Sequence, residues 1–213
     1  FDKEVAAVEV RGGKRIYTDG LVRADTSVDK LAKLRPVFSK TGTLTAGNSS
    51  PLTDGAAAVL IMEEKAAKAM GYTPLAALRS WSYVAVDPKD QLLIGPALSV
   101  PLALDRAGLT LADMGLIDIH EAFAAQVLSV TKMLASDAFA RERLGRDKAV
   151  GEVDPAKLNV HGGSIALGHP FGATGARMVT TMANELAAGK AEHAVLGICA
   201  AGGLGASAVL ERV

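Results

Sequence analysis

The chain has 213 residues, of which 49% are hydrophobic and 22% charged, so it can bury a sizeable core and wholesale disorder is excluded. Lys and Arg together number 23, as do Asp and Glu, and this balance excludes a general electrostatic attraction to nucleic acid or to an anionic membrane. An aromatic content of 4% argues against a stacking surface for single-stranded nucleic acid.

The first 70 residues carry few strong signals of regular structure. Residues 5–10 favour a strand, and residues 27–34 favour a short helix with a serine as its N-cap. The stretch 40–50 is rich in Thr, Ser and Gly, which is typical of a loop. The apolar run 56–62 predicts a buried strand, and residues 63–70 predict a helix that ends before a glycine.

Helices and strands alternate more regularly from residue 75 onward. Strands are predicted over 75–86, 116–119, 194–199 and 206–211, and helices over 96–107, 121–135 and 174–188. The uncharged stretch 194–210 contains four glycines, so it predicts two strands and a turn rather than a membrane span. With 56–62 as a further strand, the pattern indicates an α/β fold of layered helices and a mixed five-stranded sheet, ending in an antiparallel hairpin.

Cysteine usage and the first residues bear on the compartment. The chain has one cysteine, Cys199, which excludes a disulfide framework and a CxxC metal site. Residues 1–30 carry interspersed charges and no apolar core segment, so we expect no signal peptide. Together these features favour a reducing, cytoplasmic location.

Three residues are placed where chemistry is expected. His120 directly follows the predicted strand 116–119, Cys199 ends another strand, and His169 lies in a glycine-rich stretch. Carboxyl ends of strands are where open α/β sheets hold ligands. Each residue alone also fits a structural role, because a lone cysteine is usually a small buried hydrophobe. His193, in the charged stretch 190–193, is interpreted as a surface histidine.

Two phosphate-binding motifs and a zinc site are disfavoured. The glycine-rich stretch has no lysine at the helix start, as a P-loop requires, and its glycines at 168, 172 and 175 do not match GxGxxG. The separations between His120, His161, His169 and Cys199 match no usual zinc-ligand spacing. We therefore expect no metal.

Four ordered motifs together resemble the thiolase family. The first is Thr45-Ala46-Gly47-Asn48-Ser49-Ser50 with Asp54-Gly55-Ala56-Ala57, and the second is His120-Glu121-Ala122-Phe123-Ala124. The third is the stretch 162–177, which matches Gly-Gly-x-Ile-Ala-x-Gly-His-Pro-x-Gly-x-x-Gly-x-Arg, and the fourth is Cys-x-x-Gly-Gly-x-Gly at 199–205. The motifs run in order over most of the chain, and their chance agreement is negligible.

The resemblance implies a thiolase-like fold and a division of the chain. Residues 1–45 would be the end of the loop domain, 46–70 the last elements of the N-terminal half, and 71–213 the C-terminal domain. The implied activity is acyl transfer in fatty-acid β-oxidation, in which CoA cleaves a 3-oxoacyl-CoA to acetyl-CoA and a shortened acyl-CoA. CoA and acyl-CoA are then substrates, and no further cofactor is expected.

The resemblance also implies a role for each site residue. His169 would activate the nucleophilic cysteine, and Cys199 would exchange the C2 proton of the acetyl group. His120 and His169 would help form an oxyanion hole for the thioester enolate, and the backbone N–H of Ala201 would serve a second one. Ser50 and Phe123 match positions that line the pantetheine channel.

Departures from the family pattern qualify these expectations. The acyl-accepting cysteine of the family lies in the N-terminal half, and this chain has no candidate for it. His120, where many thiolases have Asn, and the long insert 137–155 resemble the β-subunit of the trifunctional fatty-acid oxidation complex. The expected partners are therefore the N-terminal thiolase half, a second copy in a homodimer, and a hydratase/dehydrogenase α-subunit.

Three alternatives remain open. One is a biosynthetic acetoacetyl-CoA thiolase that runs the condensation. Another is a non-catalytic thiolase-like subunit that binds acyl-CoA, which the missing nucleophile motivates. The last is a hydrolase that uses Cys199 with His169, since those two residue types suffice for nucleophilic catalysis.

Overall fold

The computed structural model describes residue 1 and residues 3–213, and its centre is a four-stranded mixed sheet. The strands are β3 (Ala77–Ala85), β4 (Leu116–Ile119), β5 (His193–Ala200) and β6 (Leu204–Glu211), in the order β3-β6-β5-β4. β4 runs parallel to β5, whereas β6 is antiparallel to both of its neighbours. The predicted mixed sheet with a closing antiparallel hairpin is thereby confirmed.

Helices and short elements surround this sheet. The α-helices are α1 (Val28–Leu31), α2 (Glu64–Ala69), α3 (Gly95–Ala107), α4 (Ala124–Leu134), α5 (Asp137–Phe139), α6 (Ser164–Leu167) and α7 (Gly172–Ala187). A 3-10 turn covers Leu111–Asp113, and a π-helical segment covers Ala140–Leu144 inside the insert 137–155. β1 (Val8–Glu9) and β2 (Arg15–Ile16) form a separate two-stranded hairpin. None of the helices in the described part of the chain is long and apolar enough to cross a membrane.

One face of the sheet is covered by α3 and α4. Their apolar side chains form one core cluster with Val195 and Val209 of the sheet. α3 sits so close to the sheet that a Cβ on Gly95 would lie 2.5 Å from the Gly205 Cα. Glycine at both positions therefore allows helix and hairpin backbones to touch. Buried hydroxyls at this interface are paired, as between Ser99 Oγ and Ser207 Oγ at 2.6 Å.

The other face of the sheet carries α7 and an open groove. Met178, Met182 and Leu186 of α7 form a second core cluster with strand residues. Beside them lies a cavity of about 960 Å³, here called the apolar groove. Its walls are built from α7, the sheet and the chain before β3, including residues Val59, Leu60, Ile61, Trp81, Tyr83, Val179 and Ile198.

The fifth predicted strand, 56–62, is not formed. Its residues have no regular secondary structure and lie along the wall of the apolar groove, with Leu60 and Ile61 each 70% exposed. A buried apolar strand needs a hydrogen-bonded neighbour, and the described residues supply none at this position. The sheet therefore has four strands where the sequence predicts five.

The remaining differences concern the ends of predicted elements and one short helix. The strand predicted at 5–10 shrinks to two residues, and the helix predicted at 27–34 spans only Val28–Leu31, with the Ser27 side chain accepting a bond from the Lys30 N–H as its N-cap. The helix predicted from 121 begins at Ala124. Helix α6 was not predicted, because four residues carry no readable period.

Candidate active site

Two parallel strands bring the predicted residues to one edge of the sheet. Ile119, the last residue of β4, lies opposite Gly197 of β5. The His120 N–H continues this pairing by donating to the Gly197 carbonyl at 2.8 Å. Cys199 follows two residues later on β5, so His120 and Cys199 leave the sheet at the same edge, where α/β folds place their ligands.

His120 is an almost fully buried ring held by one hydroxyl. It is 1% exposed, and its Nδ1 lies 3.0 Å from the Oγ of Ser164, the first residue of α6. A buried imidazole normally has its ring nitrogens hydrogen-bonded, and the partner of one nitrogen sets the role of the other. The Ser164 contact therefore leaves Nε2 of His120 as the nitrogen for a ligand.

His169 is anchored from two sides and touches the ring of His120. Its Nδ1 lies 2.7 Å from Thr174 Oγ1, and its backbone N–H donates to Thr53 Oγ1 at 3.1 Å. The two histidine rings are 4.2 Å apart between centroids and inclined by 42°. Phe171 lies with its ring edge-on to His169, at 5.2 Å. The structure thus brings the two histidines that the sequence singled out into direct contact.

A carboxylate and an amide clamp the loop around His120. Glu121 accepts a bond from Asn159 Nδ2 at 2.9 Å and another from the Ile165 N–H at 3.2 Å. Asn159 also bonds both the N–H and the carbonyl of Ile119, at 2.8 and 2.9 Å. Sequence reasoning missed Asn159, whose backbone has a φ of 46°. An asparagine three residues before a glycine pair is a signal that could have marked it, because Asn tolerates this left-handed conformation.

Burial keeps both histidines uncharged near neutral pH. It lowers the pKa of His120 to about 3, with the neighbouring His169 and Arg177 acting in the same direction. Burial also lowers the pKa of His169, again with help from Arg177. A neutral imidazole can accept a proton at one nitrogen and donate from the other, so neither ring acts as a fixed cation here.

Cys199 is a buried thiol. It is 3% exposed, and burial raises its pKa to about 11. A thiol with such a pKa is protonated at neutral pH, so it can act as an acid and is a poor nucleophile in this state. A single sulfur ligand at this edge does not make a metal site, and the described residues contain no group of three His, Cys, Asp or Glu side chains that could hold a metal ion.

The turn after Cys199 carries Ala201. This residue is exposed at the start of the turn 201–203 between β5 and β6. The turn is tight, since a Cβ on Gly203 would lie 2.3 Å from the Val86 carbonyl oxygen and the φ of this residue is 80°. Glycine at 203 therefore allows the turn to pass close to the chain that follows β3.

Ser50 and Phe123 come together through backbone pairing. The Ser50 N–H donates to the Ala122 carbonyl at 3.0 Å, and the Ala124 N–H donates to the Asn48 carbonyl at 2.9 Å. Both Ser50 and Phe123 are half-buried. The loop 48–53 thus runs beside the start of α4 and reaches His169 through its last residue.

The other two histidines lie apart from this pair. His193 begins β5, at the end opposite Cys199, and its Nε2 is 3.6 Å from Glu211. It is partly buried rather than solvated, because it pairs across the hairpin. His161 is exposed and lies 3.1 Å from Glu185 on α7.

Comparison with protein families assigns most of the chain. The family model described as the thiolase C-terminal domain matches residues 72–212, and the one described as the thiolase N-terminal domain matches residues 1–65.

Curated relatives and solved structures point the same way. The 3-ketoacyl-CoA thiolases of Yersinia pestis (strain Pestoides F) and Yersinia pseudotuberculosis (strain YPIII) are each 57% identical over 197 residues, or 92% of this chain and 45% of theirs. Human mitochondrial 3-ketoacyl-CoA thiolase is 35% identical with a TM-score of 0.79, over 98% of this chain and 48% of its own. The dimeric peroxisomal thiolase of Saccharomyces cerevisiae is 33% identical with a TM-score of 0.85, over 100% of this chain and 49% of its own. The chain thus spans about half the length of these proteins.

Proposed function

Since this chain belongs to the thiolase family, we propose that it forms the C-terminal part of a 3-oxoacyl-CoA thiolase of fatty-acid β-oxidation. Such an enzyme uses CoA to cleave a 3-oxoacyl-CoA to acetyl-CoA and a shortened acyl-CoA. The observation that carries the proposal is the contact between His120 and His169 at the sheet edge where Cys199 lies next to the last residue of β5. Relatives at 57% identity with the name 3-ketoacyl-CoA thiolase support it.

His169 is proposed to activate the acyl-accepting thiol. Thr174 holds its Nδ1, so Nε2 is available to take the proton of a cysteine, which then attacks the C3 carbonyl of the substrate. Cys199 is the only cysteine in the 213 residues. The nucleophile must therefore come from another part of the protein or from another chain.

Cys199 is proposed to protonate the leaving carbon. When the C2–C3 bond breaks, the acyl group stays on the nucleophile and the electron pair goes to the acetyl-CoA enolate. The Cys199 thiol, protonated because burial raises its pKa to about 11, gives its proton to C2 and becomes a thiolate. That thiolate then takes the proton of the incoming CoA, whose sulfur attacks the acyl-enzyme and releases the shortened acyl-CoA.

Hydrogen-bond donors are proposed to hold the two developing oxyanions. His120 and His169 would donate to the enolate oxygen of the acetyl-CoA leaving group. The backbone N–H of Ala201 would donate to the oxyanion formed at C3. A preorganised donor of this kind contributes about 3–4 kcal/mol to lowering the barrier.

Substrate and partner assignments follow from the same proposal. Ser50 and Phe123 would line the pantetheine channel, and no cofactor beyond the CoA substrates is required. The apolar groove would be covered by the N-terminal thiolase half, since exposed apolar surface of this extent usually marks an interface. A homodimer is proposed by analogy with the dimeric yeast thiolase. We also propose that the protein binds a hydratase/dehydrogenase α-subunit and that it is located in the cytoplasm.

Single-residue variants of the full-length protein test the chemistry. Thiolysis of a 3-oxoacyl-CoA and exchange of the acetyl-CoA C2 proton with deuterium are measured separately. His169→Ala should abolish thiolysis, and Cys199→Ala should abolish C2 exchange while still permitting acylation of the nucleophile. His193→Ala, at the far end of β5, is the matched control and should leave both rates unchanged.

The outcome also distinguishes the competing functions. Thiolysis that survives His169→Ala at the wild-type rate would refute the assignment. Binding of acyl-CoA without thiolysis or C2 exchange in the wild type would instead favour a non-catalytic subunit. The solved acetyl-CoA acetyltransferase of Bacillus anthracis, with 36% identity and a TM-score of 0.83, favours a biosynthetic condensing enzyme as the second candidate, which faster condensation than thiolysis would support.

A further inference from the structure

The hydroxyl of Ser164 has one partner in a fully buried position. Ser164 is 0% exposed, and its Oγ lies 3.0 Å from His120 Nδ1. In the part of the chain that the structure describes, this hydroxyl makes no second hydrogen bond. A buried hydroxyl without access to water donates its proton to the acceptor within reach. Here that acceptor is the ring nitrogen, so Oγ–H points to Nδ1.

The direction of this bond decides the tautomer of His120. If Nδ1 accepts a proton from Ser164, it carries none of its own. The ring is neutral, because burial lowers the pKa of His120 to about 3. A neutral imidazole has one N–H, which must then lie on Nε2.

Glu121, the residue after His120, contacts the residues on either side of Ser164. The Glu121 carboxylate accepts the N–H of Ile165, the residue after Ser164, at 3.2 Å. On the other side of Ser164, Gly163 lies so close to Glu121 that a Cβ would come within 2.6 Å of its Cδ. Glu121, the neighbour of His120, thus contacts the residues on both sides of Ser164.

We propose that Ser164 is a positioning residue that fixes His120 as the tautomer protonated on Nε2. The Nε2–H is then a permanent hydrogen-bond donor, which suits an oxyanion ligand and would not suit a proton-accepting base. The catalytic value of this donor rests on the proposed thiolase function, whereas the tautomer itself does not.

The tautomer can be read directly from the ring nitrogens. The full-length protein is labelled with ¹⁵N in its histidine rings, and long-range ¹H–¹⁵N spectra are recorded, with His120 assigned by the signal lost in His120→Asn. We expect the proton of His120 on Nε2 alone in the wild type. In Ser164→Ala we expect signals of both tautomers or an averaged shift.

A second buried serine provides the matched control. Ser99 is also 0% exposed, and its hydroxyl pairs with Ser207 in the α3–sheet interface. Ser99→Ala therefore removes the same atom from an equally buried position and should leave the His120 spectrum unchanged. In C2 exchange, Ser164→Ala should lower kcat by about tenfold or more, since loss of a tautomer-fixing partner acts on the reacting step. KM should stay within about twofold, because uniform substrate binding is untouched.

Each result has a defined meaning. A proton on Nδ1 of His120 in the wild type, or an unchanged spectrum in Ser164→Ala, overturns the proposal whatever the activity. A wild type that shows the Nε2–H tautomer but no thiolysis and no C2 exchange leaves Ser164 as the tautomer-fixing residue and refutes the proposed function instead.

Discussion

The part of the chain from β3 to β6 and the part before it are built in different ways. β5 and β6 have eight residues each and β3 has nine, and these strands pair over nearly their whole length, with one irregularity between Leu78 and Ser80. Two core clusters fill both faces of their sheet. The first 62 residues instead form two-residue strands and one four-residue helix. Among the described residues of that part, none belongs to either core cluster.

The two parts meet at the candidate site. Ser50 bonds to the chain before α4, Thr53 bonds to the His169 backbone, and Leu52 pairs with His169 as an isolated bridge. The first part thus bonds to the site loops, and it also contacts α7 through the hydrogen bond from Thr181 to Glu4.

The largest expected effect separates the two parts by stability. Leu104 on α3 is 2% exposed, so Leu104→Ala should lower the free energy of unfolding by about 2–5 kcal/mol. Leu52 is 92% exposed, and the same substitution there should cost less than about 0.5 kcal/mol. Chemical denaturation of both variants measures this difference. Equal losses would mean that the first part has a core of its own.

A pH-dependent effect should be confined to the sheet part. Asp118 of β4 is 2% exposed, and burial raises the pKa of its carboxyl to about 6, although Arg177 at 3.6 Å acts in the opposite direction. The folded state then holds this proton more tightly than the unfolded state, whose Asp pKa is about 3.9. Stability should therefore fall as the pH rises from about 4 to 6, by about 2 kcal/mol in total.

Asp118→Asn isolates this contribution. The variant should lack that fall, so its stability relative to the wild type should improve across the same pH window. Denaturant titrations at pH 4, 5 and 6 give the comparison. A difference between wild type and variant that does not change with pH would mean that the buried carboxyl keeps an ordinary pKa.

A smaller loss of stability than those expected for Leu104→Ala and for the titration of Asp118 tests the junction between the two parts. Thr53 Oγ1 accepts the His169 N–H at 3.1 Å and donates to the Pro51 carbonyl at 2.8 Å. Thr53→Val removes both bonds at nearly constant volume and should cost about 1 kcal/mol. It should also slow thiolysis in the full-length protein, because His169 loses a backbone anchor. Thr53→Ser keeps the hydroxyl and should retain the wild-type rate of thiolysis. Equal rates of thiolysis in Thr53→Val and Thr53→Ser would show that this hydrogen bond to the His169 backbone does not contribute to catalysis.

The sequence predicts the sheet part well because its signals are local. The strand 116–119 is found as predicted, and α3, α7 and the closing hairpin differ from their predicted ends by only one or two residues. The motif residues His120 and His169 also lie in contact, which fits the shared role that the family resemblance implies, although His169 lies in the loop between α6 and α7 rather than at a strand end. In contrast, the run 56–62 has the composition of a buried strand, but the described residues hold no neighbour for it. The composition of a segment does not show whether a neighbouring strand is available to pair with it.

Contacts over long sequence distances explain what the sequence did not reveal at the site. Asn159 bonds to Ile119 across 40 residues, and Thr53 bonds to His169 across 116. Ser164 lies in the third motif, at 162–177, but the motif alone does not indicate its role. The proposed positioning role follows only from its distance to the His120 ring. Helix and strand periodicity do not mark such residues, because their roles arise from the packing of separate loops; for Asn159 only the glycine pair at 162–163 offers a local signal.

Trp81 makes the apolar groove observable without a label. It is the one tryptophan in the chain, it is 51% exposed, and it lines the groove. Its emission will be that of a water-facing indole while the groove is open. Any segment or partner that enters the groove will shift the emission to shorter wavelength, so a simple fluorescence titration can follow what covers this face of the protein.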